Sequence, residues 1–462
     1  MNAQASIQGH RLKGPVSAPP PRPANVDELD TLHFDPWLTC KGEALRRLAD
    51  EIFEGLPAPD ITTGRKPRAD AEQRRRRCVA SVLANVVSMV LSPSSHDALA
   101  TALRKPTSSR TRYDYSGYSI RVLSATITAM REAGYLVVLK GARRRHRTRI
   151  LPTLLLAEML AGMQLDLQDV GREGGGETII LRLKRQPRFA SASRDQEGQA
   201  NDATTEQDTE ELGWVDYEDT AHTSRLRGQM EAINDALNSL ADVRFDGKPI
   251  LPIHLVRIFT TMSLHGPHGF DLHGRLYRGG FWFTLPKSKR HLITINGEQI
   301  ADLDFSSMFF RLAYLRQGVF PPEGDLYAIP GLENHRQAVK QLVASLFTRA
   351  GSAMRMPKEV RKAMPKGWTM ARFVQAMAIK HPAIAPLFGT GMWFSFAYTE
   401  SQIMVDVLLE LAALKIPALP LHDGLMVGKS QRDQAAHVMR KVSLKHLGLE
   451  LPVSEKPLTA AE

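Results

Sequence analysis

Ile300-Ala-Asp-Leu-Asp-Phe-Ser-Ser-Met-Phe-Phe-Arg-Leu-Ala-Tyr314 decides how this chain is read, together with a second stretch downstream, Ile416-Pro-Ala-Leu-Pro-Leu-His-Asp-Gly-Leu-Met-Val427. In the first, an apolar run delivers Asp304 to a tight Phe-Ser-Ser turn, after which the spacing of Met308, Leu312 and Leu315 predicts an amphipathic helix. In the second, two apolar segments flank His422-Asp423-Gly424, which predicts a hairpin with the acid at its tip. Each stretch puts a carboxylate at the end of a strand. Two carboxylates on adjacent strand ends suit a two-metal phosphoryl-transfer site, because a pair of Mg²⁺ ions about 3.5–4 Å apart must share oxygen ligands.

Singly, each signal has a plainer meaning. An Asp-x-Ser after a strand also serves as a helix N-cap, and a lone His-Asp says less. His96-Asp97 repeats the dipeptide after Pro93-Ser-Ser95 with no flanking strand, and there a short helix from His96 to Leu103 is the expectation.

Around the two acids lie further signals in a fixed order. His273-Gly274-Arg275-Leu276-Tyr277 and Thr284-Leu285-Pro286 precede Asp304; Arg336-Gln-Ala-Val-Lys340 lies between the acids on a helical pattern; Glu400-Ser-Gln402 opens a long apolar helix before the hairpin. This ordered set resembles the palm of family A DNA polymerases, with Asp304 and Asp423 in motifs A and C and Arg336 and Lys340 at the start of motif B. The resemblance implies an α+β fold: a polymerase palm with reduced helical fingers and thumb. It implies Asp304, Asp423 and the Phe305 carbonyl as ligands of two Mg²⁺ ions, with Mn²⁺ as the alternative. It further implies Arg336, Lys340, Phe347 and Glu400 at the nucleotide, and Gly274, Arg275, Lys287, Lys289, Arg290 and His422 along the primer–template. Aligned on Asp304 and Arg311, the glutamate that helps exclude ribose falls at Phe309, a ring that can block a 2′-hydroxyl but cannot accept a hydrogen bond from it. Two departures stand out. After Lys340 the chain has no Tyr-Gly, leaving Phe347 as the stand-in, and Gly424 replaces the last acid of the usual His-Asp-Glu.

The N-terminal half carries a different pattern. Residues 1–34, with Pro19-Pro-Pro-Arg-Pro23, read as a disordered lead. Arg74 to Ser92 predicts a buried helix with a basic start, and Tyr118 to Gly134 predicts a second helix that Ser119 caps and Gly134 ends. Strands at Tyr135–Lys140 and Thr148–Leu151 then flank an arginine-rich loop. Helix, turn, helix and basic hairpin resemble a winged helix-turn-helix domain over 35–185. Arg121 and Ser124 would face bases, and Arg143, Arg144, Arg145 and Arg147 phosphates. A small α+β domain with a solvated basic loop is the alternative. Residues 186–213 are polar and acidic and read as a linker, and 214–462 hold the catalytic half, where the helix Ser224 to Leu240 is what a reduced thumb would leave.

Composition fits a polyanion-binding, multidomain protein. The 60 Lys and Arg against 49 Asp and Glu give +11 and a pI near 9.6. No apolar run is long enough to span a membrane, the residues before Arg11 lack the core of a signal peptide, and Cys40 and Cys78 form no Cys-x-x-Cys pair, so a reducing cytoplasm is expected. No exonuclease signature is present. The expectation is a DNA-directed DNA polymerase without proofreading, acting on a DNA primer–template with nucleoside triphosphates. Two alternatives stay open: a catalytically silent DNA-binding replication initiator, and a primase or single-subunit RNA polymerase-like enzyme.

Overall fold

The computed structural model describes residues 29–57, 69–92, 96–103, 111–141, 147–184, 213–264, 266–348 and 356–458. Most of the expected lead, the linker and Arg143, Arg144 and Arg145 lie outside the described residues. The chain forms two compact units: Met1–Glu177 with Asp242–Ile253 and Leu292–Thr294, and Thr178–Ala241 with His254–His291 and Ile295–Glu462. Both contain helices and sheets, consistent with the α+β class.

The first unit is built around helix α2 (Ala71–Leu91), which packs against α1 (Glu43–Gly55) and α3 (Ile120–Glu132). From Cys78 to Met89 nearly every side chain of α2 is buried, which is the burial of a helix surrounded on all sides. On α3, Leu123, Ile127 and Met130 face the core, Ser119 accepts a hydrogen bond from the Val122 N–H at 3.3 Å, and Gly134 takes φ 82° to release the chain into the next strand. That strand, β4 (Leu136–Leu139), pairs antiparallel with β5 (Thr148–Pro152), the hairpin expected for a wing. Arg121 lies exposed and Ser124 half-buried on the outer face of α3. A short helix α4 (Leu154–Ala161) follows, and β2 (Leu38–Cys40) pairs with β6 (Val170–Arg172).

Two expectations are corrected in this unit. The segment after His96 is a strand, β3 (Ala98–Thr101), and no helix: its four residues are all buried, and it lies between β5, antiparallel, and β1 (Thr31–His33), parallel. Alanine favours a helix locally, but a run this short gains more from burial and pairing on both edges. Strand β1 in turn lies within the stretch expected to be disordered, and the Asp30 N–H donates to Asp97 at 2.9 Å.

In the second unit, β8 (Val256–Thr261) sits between β7 (Ile179–Leu183), parallel, and β9 (His273–Tyr277), antiparallel. Strand β7, expected in the N-terminal module, therefore belongs with the acids' unit. Helix α9 (Trp393–Ala413) packs on β9 and against α5 (Ala221–Leu240). Strand β10 (Glu298–Phe305) is flanked by β12 (Gly424–Gly428) and by the last strand, β13 (Val453–Lys456), with β11 (Leu419–Leu421) beyond β12, all antiparallel. Helices α6 (Met308–Arg316), α7 (Arg336–Thr348), α8 (Met370–Lys380) and α10 (Arg432–Leu447) also belong to this unit. Trp282, fully buried, donates from its indole to the Pro420 carbonyl at 2.8 Å and so ties the segment after β9 to the hairpin.

Leu99→Ala should separate core from surface in the first unit. Leu99 is fully buried in β3, so its truncation should cost about 2–5 kcal/mol in urea unfolding, whereas Arg121→Ala on the exposed face of α3 should stay within about 0.5 kcal/mol. Equal effects would contradict the placement of β3 inside the core.

Candidate active site

Asp304 and Asp423 are brought together by register. Asp304 pairs opposite Gly424 across β10 and β12, and the two residues of the tight turn between β11 and β12 are His422 and Asp423. The Phe305 N–H donates to the Asp423 carbonyl at 3.1 Å, which closes the hairpin tip onto the end of β10. Close approach explains Gly424: a Cβ there would lie 2.4 Å from the Leu303 carbonyl oxygen and 2.8 Å from Asp304 Oδ1. A longer side chain at 424 is excluded by the neighbouring strand. Both turns hold residues in the left-handed region, Ser307 at φ 56° after Asp304 and His422 at φ 56° before Asp423. Such strain, about 1–2 kcal/mol for a non-glycine residue, is commonly held at functional sites.

Electrostatics make the acid pair costly in isolation. Burial, then the neighbouring Asp423, pushes the Asp304 carboxyl up to about 7, with Lys456 pulling the other way. Lys456 Nζ lies 2.7 Å from Asp304 Oδ2, and Asp304 Oδ1 is buried without a hydrogen-bond partner. The His422 ring is driven down to about 3 by burial and by Arg275, so it stays neutral beside Tyr277 and Phe283.

These residues fit a hard divalent cation. The donors are oxygens only, one of them a buried orphan, and among the described residues no group of three or more His, Cys, Asp and Glu side chains forms a closed cage. Mg²⁺ usually takes one or two carboxylates and fills its remaining positions with water and substrate phosphate. Asp304 and Asp423 are the side chains that would hold it.

Cationic groups border the pair. Arg336 and Lys340 on α7 both lie over the Tyr327 ring, at 5.3 and 5.4 Å, and Arg336 is held bidentately by Asp325 at 2.7 and 3.0 Å. Burial and Arg336 lower the Lys340 ammonium from its usual range, while Asp304 acts in the opposite sense. Burial, then Asp423, pushes the Tyr327 hydroxyl up to about 12. Lys287 and Lys289 are exposed.

Other expected site residues sit differently. Arg275 and Glu400, expected on DNA and nucleotide respectively, form one buried bidentate pair at 2.6 and 2.8 Å. Burial opposes the Arg275 charge, but Glu400 outweighs it and the guanidinium is held above its ordinary range; complete burial pushes Glu400 up, to about 7, against the pull of Arg275. Phe309 lies half-buried beneath that pair, 5.4 Å from the Arg275 guanidinium and edge-on to Trp393 and Phe396. Gly274 is buried with φ 72°, and a Cβ there would meet Ser401 Oγ at 2.8 Å, so packing on α9 requires the glycine and leaves it no surface for a duplex. Arg290 is buried in an ion pair with Asp302 at 2.8 Å. Phe347, expected beside the nucleotide, is fully buried among Phe310, Phe388 and Phe396. In each case a residue type that suits a polyanion or a base has found an internal partner.

Three residues escaped the sequence reading. Asp302 shares a strand face with Asp304 at i,i+2, a signal that was available. Lys456 comes from the short strand β13, whose residues Val453-Ser-Glu-Lys456 carry one apolar side chain and no alternation to mark them. Tyr327 lies in an irregular segment and carries no periodic signal.

Asp304→Asn should stabilise the protein in metal-free buffer, in a pH-dependent way. With a folded pKa raised to about 7 from an unfolded value near ~3.9, the folded state holds a proton that the unfolded chain loses first. Wild-type stability should fall as pH rises from about 4 to about 7. The variant's advantage should open across that window and be constant above it, read from thermal melts at pH 4.5 and pH 8. A variant less stable than wild type at pH 8 would mean that the Lys456 pair outweighs desolvation.

No family model matches the chain and no curated protein matches it. Among solved structures it is similar to the POL domain of Pol1 from M. smegmatis in complex with DNA primer-template and dNTP, at TM-score 0.27 and 13% identity over 52% of each chain. The chain spans about half the length of that structure.

Proposed function

We propose that the second unit catalyses template-directed nucleotidyl transfer, as a DNA-directed DNA polymerase without proofreading, and that the first unit binds DNA. The observation that carries this reading is the meeting of Asp304 and Asp423 on adjacent strand ends, with one buried carboxylate oxygen unsatisfied and Lys340 near enough to feel Asp304. Sequence distance separates the acids widely, and a chain with no use for them gains nothing from two repelling carboxylates in a half-dry corner.

In this mechanism Asp304, Asp423 and the Phe305 carbonyl would hold two divalent ions. When bound, such ions activate the attacking hydroxyl and neutralise the leaving pyrophosphate. Lys340 offers its ammonium to the triphosphate from the surface of α7, and Arg336 joins it when Asp325 releases its guanidinium. The Arg275–Glu400 pair holds Phe309 from above, so that the ring rather than a carboxylate would meet the sugar. That leaves ribose exclusion to shape, and keeps RNA or primer synthesis as an alternative for the same palm. The silent-initiator reading draws on a different observation: Asp304 and Arg336 are both already engaged in ion pairs.

Primer extension on a defined template, with dNTPs and with NTPs, separates these readings. Asp423→Ala should abolish incorporation while leaving DNA affinity within a few fold, because the acid contributes little to duplex binding. Incorporation by the variant at the wild-type rate would remove Asp423 from the site; no incorporation by wild type under either nucleotide set would favour the initiator.

For the first unit, what supports DNA binding is the exposed face of α3 with Arg121, followed by a hairpin whose connecting stretch carries four arginines. Replacing Arg143, Arg144, Arg145 and Arg147 by alanine should weaken DNA binding and flatten its salt dependence by roughly 0.9 log units for each phosphate no longer neutralised. An unaltered salt slope would assign the hairpin to protein or solvent.

A further inference from the structure

A cation from β13 lies against the unsatisfied acid, Lys456 Nζ standing 2.7 Å from Asp304 Oδ2. Lys456 lies directly opposite Asp302 in the β10–β13 register, yet its ammonium reaches diagonally to Asp304. Asp302 is already satisfied by Arg290 at 2.8 Å, in a pair almost wholly buried, so the diagonal acid, within reach of a long side chain, is the one with a charge left to compensate. The backbone of β13 is fixed independently of this contact. Ser454, opposite Asp304, has its hydroxyl 3.2 Å from that of Ser306, and Glu455 pairs with Arg432 at 3.5 Å. The Lys456 side chain is itself one-third exposed, at 34%, against 17% for Asp304. It therefore has solvent to move into, on a flexible four-carbon stem, without disturbing the strand.

We propose that Lys456 is the resident counter-cation of the acid pair, bound to Asp304 when no divalent ion is present and displaced from it when one binds. The proposal rests on the metal-holding role given to Asp304 and Asp423 above, and extends it to the metal-free state. Two carboxylates brought together before any ion arrives repel each other, and a single ammonium on one of them reduces that repulsion. The same ammonium competes with the ion, so metal loading is weakened until substrate phosphates add their own negative oxygens. Displaced, Lys456 would stay beside the acids and be free to meet phosphate.

Mn²⁺ binding to the full chain, followed by the EPR signal of the free ion at fixed pH without nucleotide or DNA, tests this. Lys456→Met, which keeps the stem and removes the charge, should bind Mn²⁺ at least about tenfold tighter than wild type, the scale of effect a unit charge a few Å from a dication exerts even in a polar setting. Its thermal midpoint should fall without metal and recover with Mn²⁺ by more than wild type gains. Lys456→Arg, which keeps the charge, should bind as wild type does, and Asp304→Asn should lose the site. If Lys456→Met folds poorly, Lys456→Gln gives the same reading. Equal or weaker binding by the neutral variants, with binding still dependent on Asp304, would overturn the proposal alone and make Lys456 a residue that positions Asp304. Absence of Asp304-dependent Mn²⁺ binding in every variant would overturn the metal assignment, and the proposal with it.

Discussion

Two carboxylates that repel each other are held side by side at the end of β10, and much of the second unit follows from the need to keep them there. The register Asp304 opposite Gly424 sets their approach, and only a residue without a Cβ lets the strands come so close at that point. Gly424 is thus a steric requirement of this sheet. Compensation arrives from three directions: the hydrogen bond from Phe305 to the hairpin tip, the ammonium of Lys456, and the ammonium of Lys340 on α7.

A second constraint is the cross-link between β9 and α9. The Arg275–Glu400 pair is bidentate and buried, and removal of either partner would leave an uncompensated charge, a loss of about 3–5 kcal/mol in comparable cases. Beneath it, Arg257 is fully buried and, among the described residues, in no ion pair; it donates to the Gly274 carbonyl at 2.8 Å and to Ser401 Oγ at 3.0 Å, and burial lowers its guanidinium to about 10. Gly274 therefore sits clamped between Arg257 and Ser401, and the strand that presents Arg275 has little freedom. Phe309 and Trp393, both under the Arg275 guanidinium, inherit that rigidity.

The first unit is organised differently. Its core helix α2 is buried along most of its length, while the arginines at its start are neutralised locally: Arg76 pairs with Asp50, Glu54 and Glu72, and lies 4.2 Å above the Phe53 ring. Arg74 and Arg77 likewise pair with Asp70 and Glu173, while Arg75 donates to the Pro57 carbonyl at 3.0 Å, so this run of arginines is engaged within its own unit. On α3, by contrast, the core-facing and outward-facing sets are cleanly divided, which leaves Arg121 on the exposed side.

What the sequence determined by itself was whatever depends on local periodicity and on residues whose chemistry is their own. Helices α2, α3 and α6 announced themselves by apolar spacing, the turns by Ser119 and Gly134, and the hairpin at Asp423 by its flanking apolar runs; α9, expected to open at Glu400, begins at Trp393 instead, so Glu400 lies inside the helix. The two acids could be singled out only as members of an ordered set of signals, since an acid before a Ser turn by itself also serves as a helix N-cap. What only the tertiary structure decided was partnership. Nothing local distinguishes an arginine bound for a phosphate from one bound for Asp302 or Glu400, and only the fold brings Arg290 and Arg275 to those acids. The strand Ala98–Thr101 read as a helix because its pairing partners, Thr31–His33 and Thr148–Pro152, lie some fifty residues or more away in sequence. Lys456 was invisible for the same reason: its meaning comes from a cross-strand register more than a hundred residues long, and long-range pairing energy leaves no trace in the residues on either side of it.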